Sequence, residues 1–212
     1  MKTKELVPLL AFFLLMGGSS GARKIPAGAP ILIVGDSQSL PGGFGDRLAA
    51  ELRRAGYTVS VLAVGGKTGG YFTTGEGKQK LLAQLAALRP QVVLCLFGTN
   101  EAADIALSPS TEKSIIKGHL ALKQLLNSAG ARALFVGPPD FSPGVKGGGK
   151  DPAQIIDAFP VLVPRLRAVY GEENFLDARP YTPMPHTQIH FGAKQAHAFA
   201  ESLAPAVLEA LP

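Results

Sequence analysis

The stretch Ile31 to Leu48, ILIVGDSQSLPGGFGDRL, runs from four apolar residues into Gly-Asp-Ser, then through a Gly/Pro-rich turn into a segment of helical period. A strand that is apolar nearly throughout belongs in a parallel sheet covered on both faces. A strand, a tight loop and a helix in that order make the first unit of an α/β fold. Two chemistries place such a loop at the end of a first strand: a phosphate cradle, or a serine held up as a nucleophile. The cradle needs Gly-x-Gly-x-x-Gly or a Gly-Lys-Ser/Thr ending, and neither occurs here. Asp36 and Asp46 would also repel a phosphate. Ser37 is therefore the residue to explain, and a serine hydroxyl is a poor nucleophile until a base takes its proton.

Outward from this stretch the same alternation continues. Strands are predicted over Pro30 to Gly35, Thr58 to Val64, Val92 to Phe97, Ala133 to Gly137 and Asn174 to Asp177. Between them, Phe44, Leu48, Leu52 and Ala55 fall at helical spacing, and further helices are predicted over Gly77–Leu88, Thr111–Ala129, Pro152–Tyr170 and Gly192–Leu211. Pro160 and Pro164 predict a kink or break in the fourth of these. Five strand-helix units give an α/β fold: a three-layer α/β/α sandwich, flavodoxin-like, around a five-stranded parallel sheet. The loops GGKTGGYFTTGEG and FSPGVKGGGKD are expected to be mobile, and loops of that length in a compact domain are often functional.

The chain has 212 residues, 46% of them hydrophobic, enough for one sizeable core. Residues 1–22 carry Lys2 and Lys4, then an apolar run from Leu6 to Met16, then Ser-Gly-Ala. That is the layout of a cleavable signal peptide, with the domain over 23–212 and a secreted or periplasmic location. The run is shorter than the ~20 residues that span a bilayer, so no stable membrane span is expected. Cys95, the only cysteine, lies in an apolar run and reads as packing. The net charge of +5 comes from scattered Lys and Arg, with no patch dense enough for nucleic acid.

In an open parallel sheet, ligands meet the carboxyl ends of the strands. The residues there include Asp36-Ser37, Gly65-Gly66, Gly98-Thr99-Asn100-Glu101, Pro138-Pro139-Asp140 and Asp177, with HTQIHFG leading into the last helix. Of the four histidines, His119 falls on a core-facing helical stripe and reads as structural, and His197 is mid-helix beside core positions. His186 and His190 remain. Their spacing also suits a metal pair, but no Glu stands between them in the H-E-x-x-H manner and Pro185 marks a loop, so no metal is expected.

VGDSQS after the first strand, VGGKTG after the second, FGTNE after the third and IHFG before the last helix together resemble, in order, the SGNH or GDSL family of serine hydrolases. The resemblance implies that Ser37 is the nucleophile and His190 the base. It implies an oxyanion hole made by the Ser37 N–H, the Gly66 N–H and the Asn100 side-chain amide, with Gly65 as the alternative to Gly66. The chain departs from the pattern at Thr187, where the family has the Asp that orients the histidine. Either Asp177, at the end of the fifth strand, or a backbone carbonyl is expected to take that part. Asp36 reads as a loop-bracing acceptor. Tyr71 and Phe72 are candidates for substrate contact, with core packing as the equal alternative.

The expectation is a serine esterase that needs no metal or organic cofactor. Its partner would be a small-molecule or polysaccharide ester, such as an O-acetyl group on an envelope or extracellular carbohydrate. The alternatives are a lipase or thioesterase acting on longer acyl chains, or a carbohydrate-binding protein of the same fold with little turnover. Oligomeric state is not legible in the sequence.

Overall fold

In the computed structural model, residues 25–142, 152–185 and 188–211 are described. They form β1 (Pro30–Gly35), α1 (Phe44–Arg54), β2 (Thr58–Ala63), α2 (Gly75–Leu88), β3 (Val92–Leu96), α3 (Thr99–Leu107), α4 (Glu112–Ser128), β4 (Arg132–Val136), α5 (Pro152–Tyr170), β5 (Phe175–Leu176) and α6 (Ala193–Ala210). The five strands make one parallel sheet in the order β2-β1-β3-β4-β5. This is the flavodoxin-like arrangement, and its strand order reverses between β1 and β3.

Alternate residues of each strand point to opposite faces, and two separate cores result. Leu32, Val34, Val93, Cys95 and Phe135 pack with Leu81, Leu85, Leu122, Leu126 and Leu162 from α2, α4 and α5. Ile31, Ile33, Leu94, Leu134 and Val136 pack with Leu48, Leu52, Phe199 and Leu203 from α1 and α6. Both faces of β1 and β3 are dry, as their apolar runs require. Burial pushes the Cys95 thiol up to about 12, so it stays protonated. Among the described residues, no helix is long and apolar enough to cross a membrane.

Beyond shifts of one or two residues at element ends, the fold differs from the sequence reading in three places. A helix absent from that reading, α3, follows β3 directly and carries Asn100 in its first turn. Helix α5 runs unbroken through Pro160 and Pro164. Both prolines are on its exposed side, so the carbonyls that lose their i+4 donors can bond to water. The loop after β2, expected to be mobile, forms a 3-10 turn over Gly69–Thr73 that packs on α4, with Gly69 and Phe72 buried. Most of FSPGVKGGGKD lies outside the described residues.

Candidate active site

The switch point between β1 and β3 splays the loops that follow these strands, and the candidate residues collect there. After β1 the chain turns at Asp36, whose Oδ1 accepts the Gln38 N–H at 2.9 Å and caps a 3-10 turn over Ser37–Ser39. The turn buries Asp36, Gln38 and Ser39 and leaves Ser37 half-buried. Across the cleft, His190 is exposed, in the segment just before α6. Its Nε2 is 2.9 Å from Ser37 Oγ, although the two are 153 residues apart.

Gln38 makes this meeting specific. Its side-chain N–H donates to the carbonyl of Ile189 at 2.6 Å. The residue after Ser37 therefore grips the residue before His190, and Ile189 is itself buried. Nothing in the sequence marks Gln38 for this task, because it depends on a contact between distant segments.

The second loop turns at Val64–Lys67, closed by the Lys67 N–H to the Val64 carbonyl at 3.4 Å. Gly66 has φ +69°, in the left-handed region that favours glycine. Gly65 lies against the nucleophile loop: a Cβ added there would be 3.8 Å from Ser37 Cβ. Among the described residues, the backbone N–H groups of Ser37, Gly65 and Gly66 donate to no protein acceptor.

The third loop supplies Asn100, which is 8% exposed. Its amide nitrogen donates to Asp36 Oδ2 at 3.0 Å and faces the Lys67 carbonyl at 3.3 Å. Glu101 beside it is fully buried and accepts the Gly98 N–H and the Gly69 N–H, each at 2.9 Å. His119 Nε2 meets Glu101 Oε1 at 3.0 Å, and His119 Nδ1 meets the Tyr170 hydroxyl at 3.1 Å. Burial works to raise the Glu101 carboxyl, but the His119 contact and the backbone donors hold it below its usual value. Asp36 responds in the opposite direction. Burial and the Glu101 charge push its carboxyl up to about 7.

Two expectations require correction. Phe72 is 0% exposed and packs in the core against Tyr71 and Phe97, so it cannot touch a substrate. The Gly and Thr residues flanking it in the sequence gave no sign of this. Tyr71 is only partly buried, with the Lys67 ammonium 5.2 Å from its ring centre. Asp177 does not reach His190. Its oxygens take the Arg179 Nε at 2.9 Å, the Arg179 Nη2 at 2.6 Å and the Arg179 backbone N–H at 3.1 Å. Burial works to raise the Asp177 carboxyl, but Arg179 holds it below its usual value. Among the described residues no carboxylate hydrogen-bonds to His190; Thr187 and His186 lie outside them.

Asp177→Asn is therefore expected to leave any turnover that depends on the Ser37–His190 pair within threefold of wild type. A loss near the ~10⁴-fold seen when a triad acid is neutralised would contradict this placement.

No family model matches the chain, and no curated protein matches it. The fold does have solved counterparts. A protein from Slackia heliotrinireducens assigned to the SGNH hydrolases superposes with a TM-score of 0.63 at 18% identity, over 84% of this chain and 98% of that one. The psychrotrophic esterase EstA from Pseudoalteromonas sp. gives a TM-score of 0.58 at 17% identity, over 85% and 97%. An acetyl xylan esterase gives 0.56 at 15%, over 84% and 99%. Over 84% of its length the chain thus shares the fold of a solved structure assigned to the SGNH hydrolases.

Proposed function

We propose that the chain is an SGNH-type serine ester hydrolase with Ser37 as nucleophile and His190 as base. The observation that carries this reading is the 2.9 Å approach of His190 Nε2 to Ser37 Oγ. At that distance the imidazole takes the hydroxyl proton as Oγ attacks the ester carbonyl, then returns it to the departing alcohol. Water, activated by the same imidazole, releases the acyl group. The carbonyl oxygen becomes anionic in each step and needs donors already aimed at it. The Ser37 N–H and the Gly66 N–H supply two, with the adjacent Gly65 N–H as the alternative to Gly66. Asn100 supplies the third through the amide hydrogen that faces Lys67 only weakly. The Asp36 bond takes its other hydrogen and fixes the side chain.

The substrate reading is an O-acetyl ester on a carbohydrate. A cleft of about 740 Å³ opens beside Gly66 and is lined by Lys67, Thr68, Tyr71, Thr111, Ser114 and Lys117, among others. Its hydroxyls, amines and one aromatic face are groups that can bind a polyhydroxylated leaving group, which supports this reading. A solved structure of similar fold is an acetyl xylan esterase. The layout of residues 1–22 adds export to the proposal, with a mature N-terminus at Arg23. N-terminal mapping of extracytoplasmic protein checks this, and an intact Met1 start confined to the cytoplasm would refute it.

Nitrophenyl esters test the chemistry. The wild-type chain is expected to hydrolyse the acetate, Ser37→Ala to lose that activity, and Asn100→Ala to lower kcat by about 10²- to 10³-fold with the fold intact. The acetate should be cleaved faster than the octanoate. A preference for octanoate would replace the acetyl reading with a lipase or thioesterase, and full activity in Ser37→Ala would remove the mechanism.

A further inference from the structure

The three proposed oxyanion donors stand on three different loops, and hydrogen bonds set to a few tenths of an ångström must hold them at once. Between the β1 loop and each neighbour the strand ladders help, because β1 pairs with both β2 and β3. Between the β2 and β3 loops they do not. These strands flank β1 and share no ladder. Besides the 3.3 Å contact of the Asn100 amide with the Lys67 carbonyl, something else must set the distance from Gly66 to Asn100.

Glu101 is placed to do so. Its Oε1 accepts the N–H of Gly69, three residues after Gly66, and its Oε2 accepts the N–H of Gly98, two residues before Asn100. One carboxylate therefore spans the gap that no strand pairing crosses. The Gly69 end is also shaped for close approach: a Cβ there would lie 2.6 Å from His119 Cε1. His119 Nε2 adds a third donor, at 3.0 Å on Oε1, and its other nitrogen meets Tyr170. Both side chains of the Glu101–His119 pair are fully buried. A buried carboxylate and its polar partners are often replaceable by apolar residues without loss of stability, so core packing alone gives no reason for a carboxylate at this position.

We propose that Glu101 is a positioning residue of the oxyanion hole, tying the Gly66 loop to the Asn100 loop, with His119 holding its carboxylate in the bridging orientation. This rests on the hydrolase reading above. A carboxamide at position 101 turns an NH2 toward one of the two backbone donors and breaks that tie. Facing Gly69, the NH2 frees the Gly66 loop from α3, and facing Gly98 it loosens the turn that aims Asn100; the remaining bond keeps the fold while the donors lose their mutual register.

The test is steady-state hydrolysis of 4-nitrophenyl acetate by wild type, Glu101→Gln, Asn100→Ala and the double variant, with circular dichroism to confirm folding. Glu101→Gln is expected to lower kcat about 10- to 100-fold, the scale of a small misplacement, with KM within twofold. Because it acts through the same hole, the double variant should lose much less than the product of the two single losses. A folded Glu101→Gln with wild-type kcat, or losses that multiply fully, would overturn the proposal. If Glu101→Gln does not fold, His119 decides. His119→Phe, which keeps a ring but offers no donor, should lower kcat at unchanged KM, and His119→Gln, which keeps a donor, should recover most of the rate. Wild-type kcat in His119→Phe would then overturn the proposal. A wild-type chain with no hydrolysis would refute the hydrolase reading and this inference together, whereas an active wild type with unaffected variants refutes the inference alone.

Discussion

The Asn100 side chain donates to Asp36 and faces the Lys67 carbonyl, so one amide touches the loops that follow β1 and β2 while standing on the loop that follows β3. The rest of the site depends on this junction. Ser37 is turned outward by the same Asp36 that receives Asn100, and Gly66 immediately precedes Lys67. His190, the only site residue from the far end of the chain, is brought in by a different bond, from Gln38 to the Ile189 carbonyl. A parallel sheet delivers the strand ends to one edge, but it does not set side chains at reacting distances. Polar bonds between the loops do that, and burial strengthens each of them by excluding competing water.

This lacing has an electrostatic cost. Asp36 and Glu101 are both buried carboxylates near one another, and two negative charges in a dry site push each other's ionisation apart. The His119 contact and two backbone donors around Glu101 hold its carboxyl below its usual value, so it keeps its charge. Asp36 is left to rise to about 7. A carboxyl raised on folding binds its proton more tightly in the native state than in the unfolded chain. From its ordinary value near 3.8 up to about 7, Asp36 therefore makes the fold less stable as pH rises. The bond it accepts from Asn100 offsets part of that cost, which ties the stability of the loop core to the geometry of the proposed oxyanion hole.

Much of this was legible in the sequence, and what was not has physical causes. The strands read clearly because β1 and β3 are apolar on both faces, and the β1 bounds match residue for residue. Ser37 could be picked out because it directly follows the first strand, and the family resemblance then singled out Asn100 and chose His190 over His186. Helix α3 was missed because it is short, starts at Gly98 without a side-chain cap, and relies on Ala102, Ala103 and Ile105 for its buried face. Phe72 was ambiguous because an aromatic among glycines and threonines looks the same whether it turns toward solvent or core. Asp177 was correctly placed at a strand end, yet Arg179 two residues later takes its charge, and sequence distance alone does not say which cation or ring a carboxylate will meet. Glu101 carried one readable sign, an acidic residue three positions past a helix start. Its second tie, to Gly69, exists only in three dimensions.

A Ser37 activated by His190 reacts covalently with organophosphorus reagents, as an ordinary surface serine does not. The folded protein is incubated with diisopropyl fluorophosphate and its peptides are mapped by mass spectrometry. One diisopropylphosphoryl group is expected, on Ser37, formed in the native wild type and lost in His190→Ala and in denaturant. Absence of a Ser37 adduct in the folded wild type, or equal labelling of other serines, would contradict it.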